Sequence, residues 1–222
     1  MPAEVPPPAH VQVVLLHGLC RTPRSMRPMQ RFLEAAGYRV LNVGYPSRMA
    51  DIGTLGEEVI GGTLEHCRAT GATEVHFVCH SLGGILVREY AAKHPDAPIG
   101  HVVMLGPPNA GSEVVDRLGH LRLFTWINGP AGAQLGTGEA STPKQLGSLP
   151  FHTGIIAGNR SINWINSLMI PGPDDGKVSV ASTRLEGMAD HLVLPTSHPF
   201  LMTNREAMRQ TAIFLQQGRF EH

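Results

Sequence analysis

The chain has 222 residues, 42% of them hydrophobic and 16% charged, with 18 basic and 18 acidic side chains and a formal net charge of zero. That length suits one domain with a large core, 1–222, and is short for two. The charge balance excludes the field that would draw in nucleic acid or an anionic membrane, and agrees with uncharged or apolar substrates.

Residues 1–10 read as an extended, proline-rich lead-in, without the basic and apolar regions of a signal peptide. No run approaches the ~18 apolar residues of a membrane span, so a soluble, cytoplasmic protein with no stable membrane insertion is expected. Cys20, Cys67 and Cys79 are too few and too scattered for a disulfide framework or a zinc site, and no metal is expected. Val11 to Leu16 is a continuous apolar run, as a parallel strand covered on both faces requires, and it leads into His17-Gly18-Leu19-Cys20. Met26 to Ala36 fits an amphipathic helix closed by Gly37, Arg39 to Val43 the next strand, and Leu55 to Thr70 a second helix ended by Gly71.

Val75 to Val78 is a short β-branched and aromatic strand, and Ile85 to His94 a helix stopped by Pro95. Only His80-Ser81-Leu82-Gly83-Gly84 lies between them. A chain that turns from strand to helix in so few residues holds its corner residue in a strained conformation, with small neighbours where helix and strand approach. The corner side chain projects beyond the carboxyl end of the sheet, and free N–H groups of the helix N-terminus sit behind it. A bland role for Ser81, capping the helix, would use the same position.

His101 to Leu105 is a further strand, followed by Gly106-Pro-Pro-Asn-Ala-Gly-Ser112. From Gly111 to Leu149 the pattern loosens, with an apolar cluster at Leu118, Leu121, Leu123, Phe124, Trp126 and Ile127 and then a glycine- and alanine-rich stretch. This segment is either a cap or lid, or a helix packed on the sheet edge followed by a surface loop. Phe151 to Ala157 reads as a late strand, Ile162 to Ile170 as a short helix or a wall of a pocket, His191 to Leu194 as the last strand, and Asn204 to Gln217 as the closing helix. Strands alternating with helices of these lengths predict an α/β fold: a doubly wound, mostly parallel sheet of about six strands flanked by helices, with a small cap-like insertion at 111–149.

Cys79-His80-Ser81-Leu82-Gly83 resembles the Gly-x-Ser-x-Gly elbow of α/β-hydrolases, in the Gly-His-Ser-x-Gly-Gly form of compact bacterial lipases and esterases, with Cys79 in place of the first glycine. The resemblance covers about residues 11–217 and includes Pro-x-x-x-Gly-Ser after the fourth strand, which in lipases leads into the region over the active site. It implies that Ser81 is a nucleophile and that the His-Gly turn after the first strand forms an oxyanion hole from the N–H groups of Leu19 and Leu82. It places the acid in the Asp-Gly-x-Val setting of Asp175-Gly176-Lys177-Val178, with Asp174 and then Asp190 as alternatives. The base falls in the loop after the last strand, where His198 lies, with His191 as the alternative. The chain order Ser81, Asp175, His198 is the order of that fold.

The expected activity is that of a serine hydrolase cleaving carboxylic esters, a carboxylesterase or lipase, through an acyl-enzyme on Ser81 and without a cofactor. A serine acyltransferase or amidase on the same three residues is an alternative, as is a non-catalytic binding module of the same fold. The partner is a small-molecule or lipid ester, and short to medium acyl chains are expected. His17, Leu121, Phe124, Trp126 and Ile127 are the candidate pocket residues. Each methylene buried there contributes about 0.8 kcal/mol until the pocket ends.

Overall fold

The computed structural model describes residues 10–222, so positions 1–9 of the proline-rich lead-in lie outside the described residues. Six strands, β1 (Val11–Leu16), β2 (Arg39–Val43), β3 (Glu74–His80), β4 (Ile99–Leu105), β5 (Thr153–Gly158) and β6 (Asp190–Leu194), form one sheet in the order β2-β1-β3-β4-β5-β6. Every neighbouring pair is parallel, as the alternation of strands and helices predicts.

The connections follow in chain order. A 3₁₀ turn (Pro23–Met26) opens α1 (Arg27–Ala35). α2 (Ile52–Leu55) continues through a π-helical stretch (Gly56–Gly61) into α3 (Gly62–Ala69). This helical run starts earlier than the apolar periodicity suggests, because Asp51 caps it by accepting from the Thr54 N–H at 2.8 Å. α4 (Leu82–Lys93) begins directly after Ser81. The 111–149 segment contains α5 (Glu113–Leu118), α6 (Arg122–Ala133, broken at Gly129-Pro130) and α7 (Thr142–Gln145). α8 (Trp164–Ser167) and α9 (Val180–Thr183) are single turns, and α10 (Arg205–Gln217) closes the fold behind an Asn204 cap.

Successive strand residues face opposite sides of the sheet, and each side is covered by its own helices. Val14, Leu16, Phe77, Cys79, Val102 and Met104 pack with α2, α3 and α4. Val13, Leu15, Val78, Val103 and Leu105 pack with α1 and α10 through Met29, Leu33, Met208 and Phe214. Burying each such Leu, Val or Phe contributes about 1.5–3 kcal/mol, which is why β1 tolerates so little polar character.

β1 and β3 are neighbours although β2 lies between them in sequence. The chain leaves β1 toward one edge of the sheet and, after β2, returns past β1 to build toward the other. The carboxyl ends of β1 and β3 therefore flank a crevice, the usual position for a ligand in a doubly wound sheet.

Candidate active site

Ser81 is the only residue between β3 and α4, and its backbone sits at φ 52°, ψ −118°. A non-glycine residue held there costs on the order of 1–3 kcal/mol and persists only when its surroundings enforce it. Here the Ser81 N–H donates to the Leu105 carbonyl at 2.9 Å, locking the corner to β4. Gly83 supplies the close approach, since a methyl group on it would lie 2.8 Å from Leu16 Cβ and 3.0 Å from the Leu16 carbonyl. Cys79, at the position where the motif has glycine, is fully buried among the residues under α4. Burial pushes its thiol pKa well up, so Cys79 stays a protonated packing group.

The turn after β1 is oriented by a buried histidine. The imidazole of His17 stacks on Tyr45 at 4.2 Å between ring centres. Its Nδ1 donates to the Gly18 carbonyl at 2.9 Å, while Nε2 accepts from the Tyr45 N–H at 3.4 Å. The Arg21 N–H also donates to the Gly18 carbonyl, at 3.2 Å, and the Cys20 N–H donates to Ser47 Oγ at 3.1 Å. In a planar trans peptide the N–H points opposite to the C=O, so fixing the Gly18 oxygen turns the Leu19 N–H the other way. The same logic applies at the elbow. The Ser81 carbonyl accepts from the Gly84 N–H at 3.1 Å inside the first helical turn, which leaves the Leu82 N–H directed out of the helix end.

On the far side of the crevice, His198 and Asp175 form a buried pair, with Nδ1 of the imidazole 2.7 Å from Asp175 Oδ2 and their side chains 7% and 0% exposed. The other carboxylate oxygen accepts from the N–H groups of Lys177 at 3.0 Å and Val178 at 2.9 Å. The His198 N–H donates to the Asp175 carbonyl at 2.9 Å, tying the two loops together by main chain. Asp174 is occupied elsewhere: its Oδ1 accepts from the Gly176 N–H at 2.7 Å and Ser167 Oγ at 2.8 Å. Asp190 accepts from the N–H groups of His191 and Phe220 at the opposite end of the sheet. His191, on β6, bonds Thr183 Oγ1 at 2.9 Å and is held mostly neutral by burial, with a pKa of about 4.

Ser81 and His198 line one cavity of about 220 Å³, with Leu19 on the β1 side and Val114, Val115 and Phe124 of the 111–149 segment above. Among the described residues no group of three or more His, Cys, Asp or Glu is arranged to hold a metal ion, and no helix is long and apolar enough to cross a membrane.

A family model described as the alpha/beta hydrolase family matches residues 13–207. The chain belongs to the alpha/beta hydrolase family. Triacylglycerol lipases of Pseudarthrobacter phenanthrenivorans and Burkholderia plantarii are each 31% identical to it over 112 residues, 47% of this chain. The matched segment is 35% and 31% of those proteins, so the match spans about a third of the length of these curated relatives. The mature form of the Bacillus licheniformis lipase BlEst2 superposes with a TM-score of 0.76 at 19% identity, over 98% of this chain and 96% of that one. At that identity the superposition speaks for the fold.

In this alpha/beta hydrolase, four of the five residues expected to line a pocket do not reach the cavity. Phe124 does. His17 is fully buried beneath the turn after β1, where it bonds to main chain. Leu121, Trp126 and Ile127 are 45%, 78% and 41% exposed, because α6 presents Phe124 and Asn128 inward and turns the opposite flank to solvent. The Ile162–Ile170 stretch, expected as a helix or pocket wall, forms α8 with Trp164 and Leu168 exposed, away from the cavity.

Three residues bear on the site that the sequence reading does not single out. His80 Nε2 donates to the backbone carbonyl of His198 at 3.0 Å. Gly106, at φ 58°, makes room for the Asp175–His198 pair: a methyl there would lie 3.1 Å from both Asp175 Oδ2 and His198 Nδ1. Arg88, 2% exposed on α4, donates to the carbonyls of Asn109 at 3.0 Å, Pro143 at 3.0 Å and Gly147 at 3.1 Å. It thereby fastens α4 to the main chain just before the 111–149 segment and near that segment's end. Its burial lowers the guanidinium pKa to about 10. The available signal was Arg88 itself, three residues from Ile85 and from Ala91 on the buried side of that helix.

Proposed function

We propose that this protein hydrolyses carboxylic esters through an acyl-enzyme on Ser81, with His198 as general base and acid and Asp175 as the group that orients it. The observation carrying this reading is the buried 2.7 Å pair of Asp175 and His198 opening onto the cavity lined by Ser81. With Nδ1 engaged by the carboxylate, Nε2 is the imidazole nitrogen free to take the Ser81 proton. Oγ attacks the ester carbonyl, the oxygen becomes an oxyanion, and the N–H groups of Leu19 and Leu82 receive it. His198 returns the proton to the departing alcohol, and water then repeats the sequence on the acyl-enzyme to release the acid. The relatives named triacylglycerol lipases support ester chemistry.

Short to medium acyl chains are the preferred substrates in this reading. The cavity, about 220 Å³, is smaller than the roughly 300–1,000 Å³ of sites that enclose drug-sized ligands. Phe124, Val114 and Leu135 border it, so the chain length rewarded by burial is limited. The test has two parts. A fluorophosphonate probe labels the protein at Ser81 and fails to label Ser81→Ala. In a p-nitrophenyl ester series kcat/KM peaks before the long chains; a steady rise to C16, with a rate jump at the solubility limit of triglyceride, contradicts the chain-length proposal.

A further inference from the structure

Among the described residues the ionic side chains that line the cavity are of one sign: they are Arg21 and Lys177, and no carboxylate is among them. The nearest acid in the machinery, Asp175, is sealed behind His198 with a fully buried side chain. This contrasts with the chain as a whole, where 18 acidic and 18 basic residues cancel.

Both cations are exposed and stand on main chain that the site already fixes. Arg21 lies two residues beyond Leu19, and its N–H donates to the Gly18 carbonyl in the oxyanion turn. Lys177 lies two residues beyond Asp175. Its N–H donates to the Asp175 carboxylate at 3.0 Å, and its carbonyl accepts from Ser112 Oγ at 2.9 Å. One cation is therefore delivered from the β1 side and the other from the β5 side, with Ser81 at the end of β3 between them. Neither forms an ion pair with a described carboxylate, whereas Lys93 and Arg209 elsewhere do. Both are close enough to the cavity floor to help keep the buried His80 neutral, after the larger effects of burial and of His198.

Among the lining residues Val114 and Leu135 are 5% exposed, whereas Arg21 and Lys177 are exposed to solvent. The buried apolar residues suit an acyl chain, and the exposed cations suit the part of an ester that stays nearer solvent, which we take to be the alcohol portion. Resting on the Ser81 hydrolase reading, we propose that the preferred substrates are esters whose alcohol portion carries an anionic group, a carboxylate or a phosphate, held between Arg21 and Lys177.

Four butyrate esters of similar size test this by pH-stat, each with the Ser81→Ala protein as blank: those of ethylene glycol (neutral), 3-hydroxypropionate (carboxylate), 2-hydroxyethyl phosphate and choline (cationic). At low ionic strength kcat/KM for an anionic ester is expected to exceed that for the neutral ester by ~5-fold or more, carried mainly by KM, with the choline ester slowest. The ratio should shrink at about 0.5 M salt, where the screening length falls to a few ångströms. It should collapse toward one in the Arg21→Gln/Lys177→Gln double variant, which removes both charges at exposed positions. The carboxylate and phosphate arms show which anion is preferred. A wild-type ratio at or below one, a ratio untouched by the double variant, or a choline ester as good as the anionic ones overturns the proposal while Ser81-dependent turnover stands. Absence of Ser81-dependent turnover on all four esters, together with no fluorophosphonate labelling, overturns the hydrolase reading and this inference with it.

Discussion

His80 Nε2 donates a hydrogen bond to the main-chain carbonyl of His198 at 3.0 Å, with the two rings 4.8 Å apart. The residue preceding Ser81 thus holds the loop that bears His198. His80 is 2% exposed and its Nδ1 is buried without a partner. Burial, and then the neighbouring His198, keep its pKa well below the ordinary histidine value. A neutral ring with its proton on Nε2 is the state this contact needs.

His80→Leu should therefore lower kcat by about tenfold or more with little change in KM, since a buried carbonyl left unpaired costs about 1–3 kcal/mol and loosens the base. His80→Gln, which restores a donor, should recover part of the loss. Steady-state kinetics on one short ester decides it; equal kcat in wild type and His80→Leu would remove the positioning role.

Gly106→Ala should cost about 100-fold in kcat, because it both opposes a positive φ and pushes on the Asp175–His198 pair. Fluorophosphonate labelling at Ser81 should slow in parallel. Normal turnover would mean that the pair can shift without consequence.

The two neighbouring acids should separate cleanly. Asp175→Asn leaves the imidazole with the wrong partner and is expected to cost on the order of 10⁴ in kcat, as loss of such a carboxylate does in serine proteases. Asp174→Asn should change kcat by less than about tenfold and lower stability by about 1 kcal/mol, since it weakens the bonds to Gly176 and Ser167. Kinetics and urea midpoints on both variants test this, and the reverse pattern would exchange the roles.

Stability should fall as pH drops below about 6.5. His76, 5% exposed, accepts from the His101 N–H at 3.0 Å, and burial followed by the charge of His101 lowers its pKa to about 4. Above pH 6.5 the ring is neutral in both folded and unfolded chains. Below it the unfolded chain takes up the proton and the folded one does not, so stability is lost as pH falls toward 4, by about 2 kcal/mol from this group at pH 5. Urea denaturation at pH 7.5, 6 and 5 should show the decline, and His76→Asn, which keeps an acceptor, should flatten it. Identical slopes in the two proteins would show that His76 contributes nothing.

What the sequence determined by itself was local. The apolar runs of β1 and β3, the alternation of strands with amphipathic helices, and the five-residue corner around Ser81 all follow from neighbours along the chain, where periodicity and turn chemistry act. Asp175 and His198, in the loops after β5 and β6, were picked out by resemblance to the α/β-hydrolase pattern and not by periodicity. The tertiary structure decided what depends on residues distant in sequence. Phe124 and Trp126 lie two positions apart on one helix, and only the covering of that helix makes the first a cavity residue and the second a solvent-exposed one. Periodicity states which residues share a face; it does not state which face is buried. Gly106, His17 and His80 carry no local signal of their roles, because each acts on a partner brought close by strand order: Gly106 on His198 and Asp175, His17 on Tyr45, and His80 on a carbonyl 118 residues away.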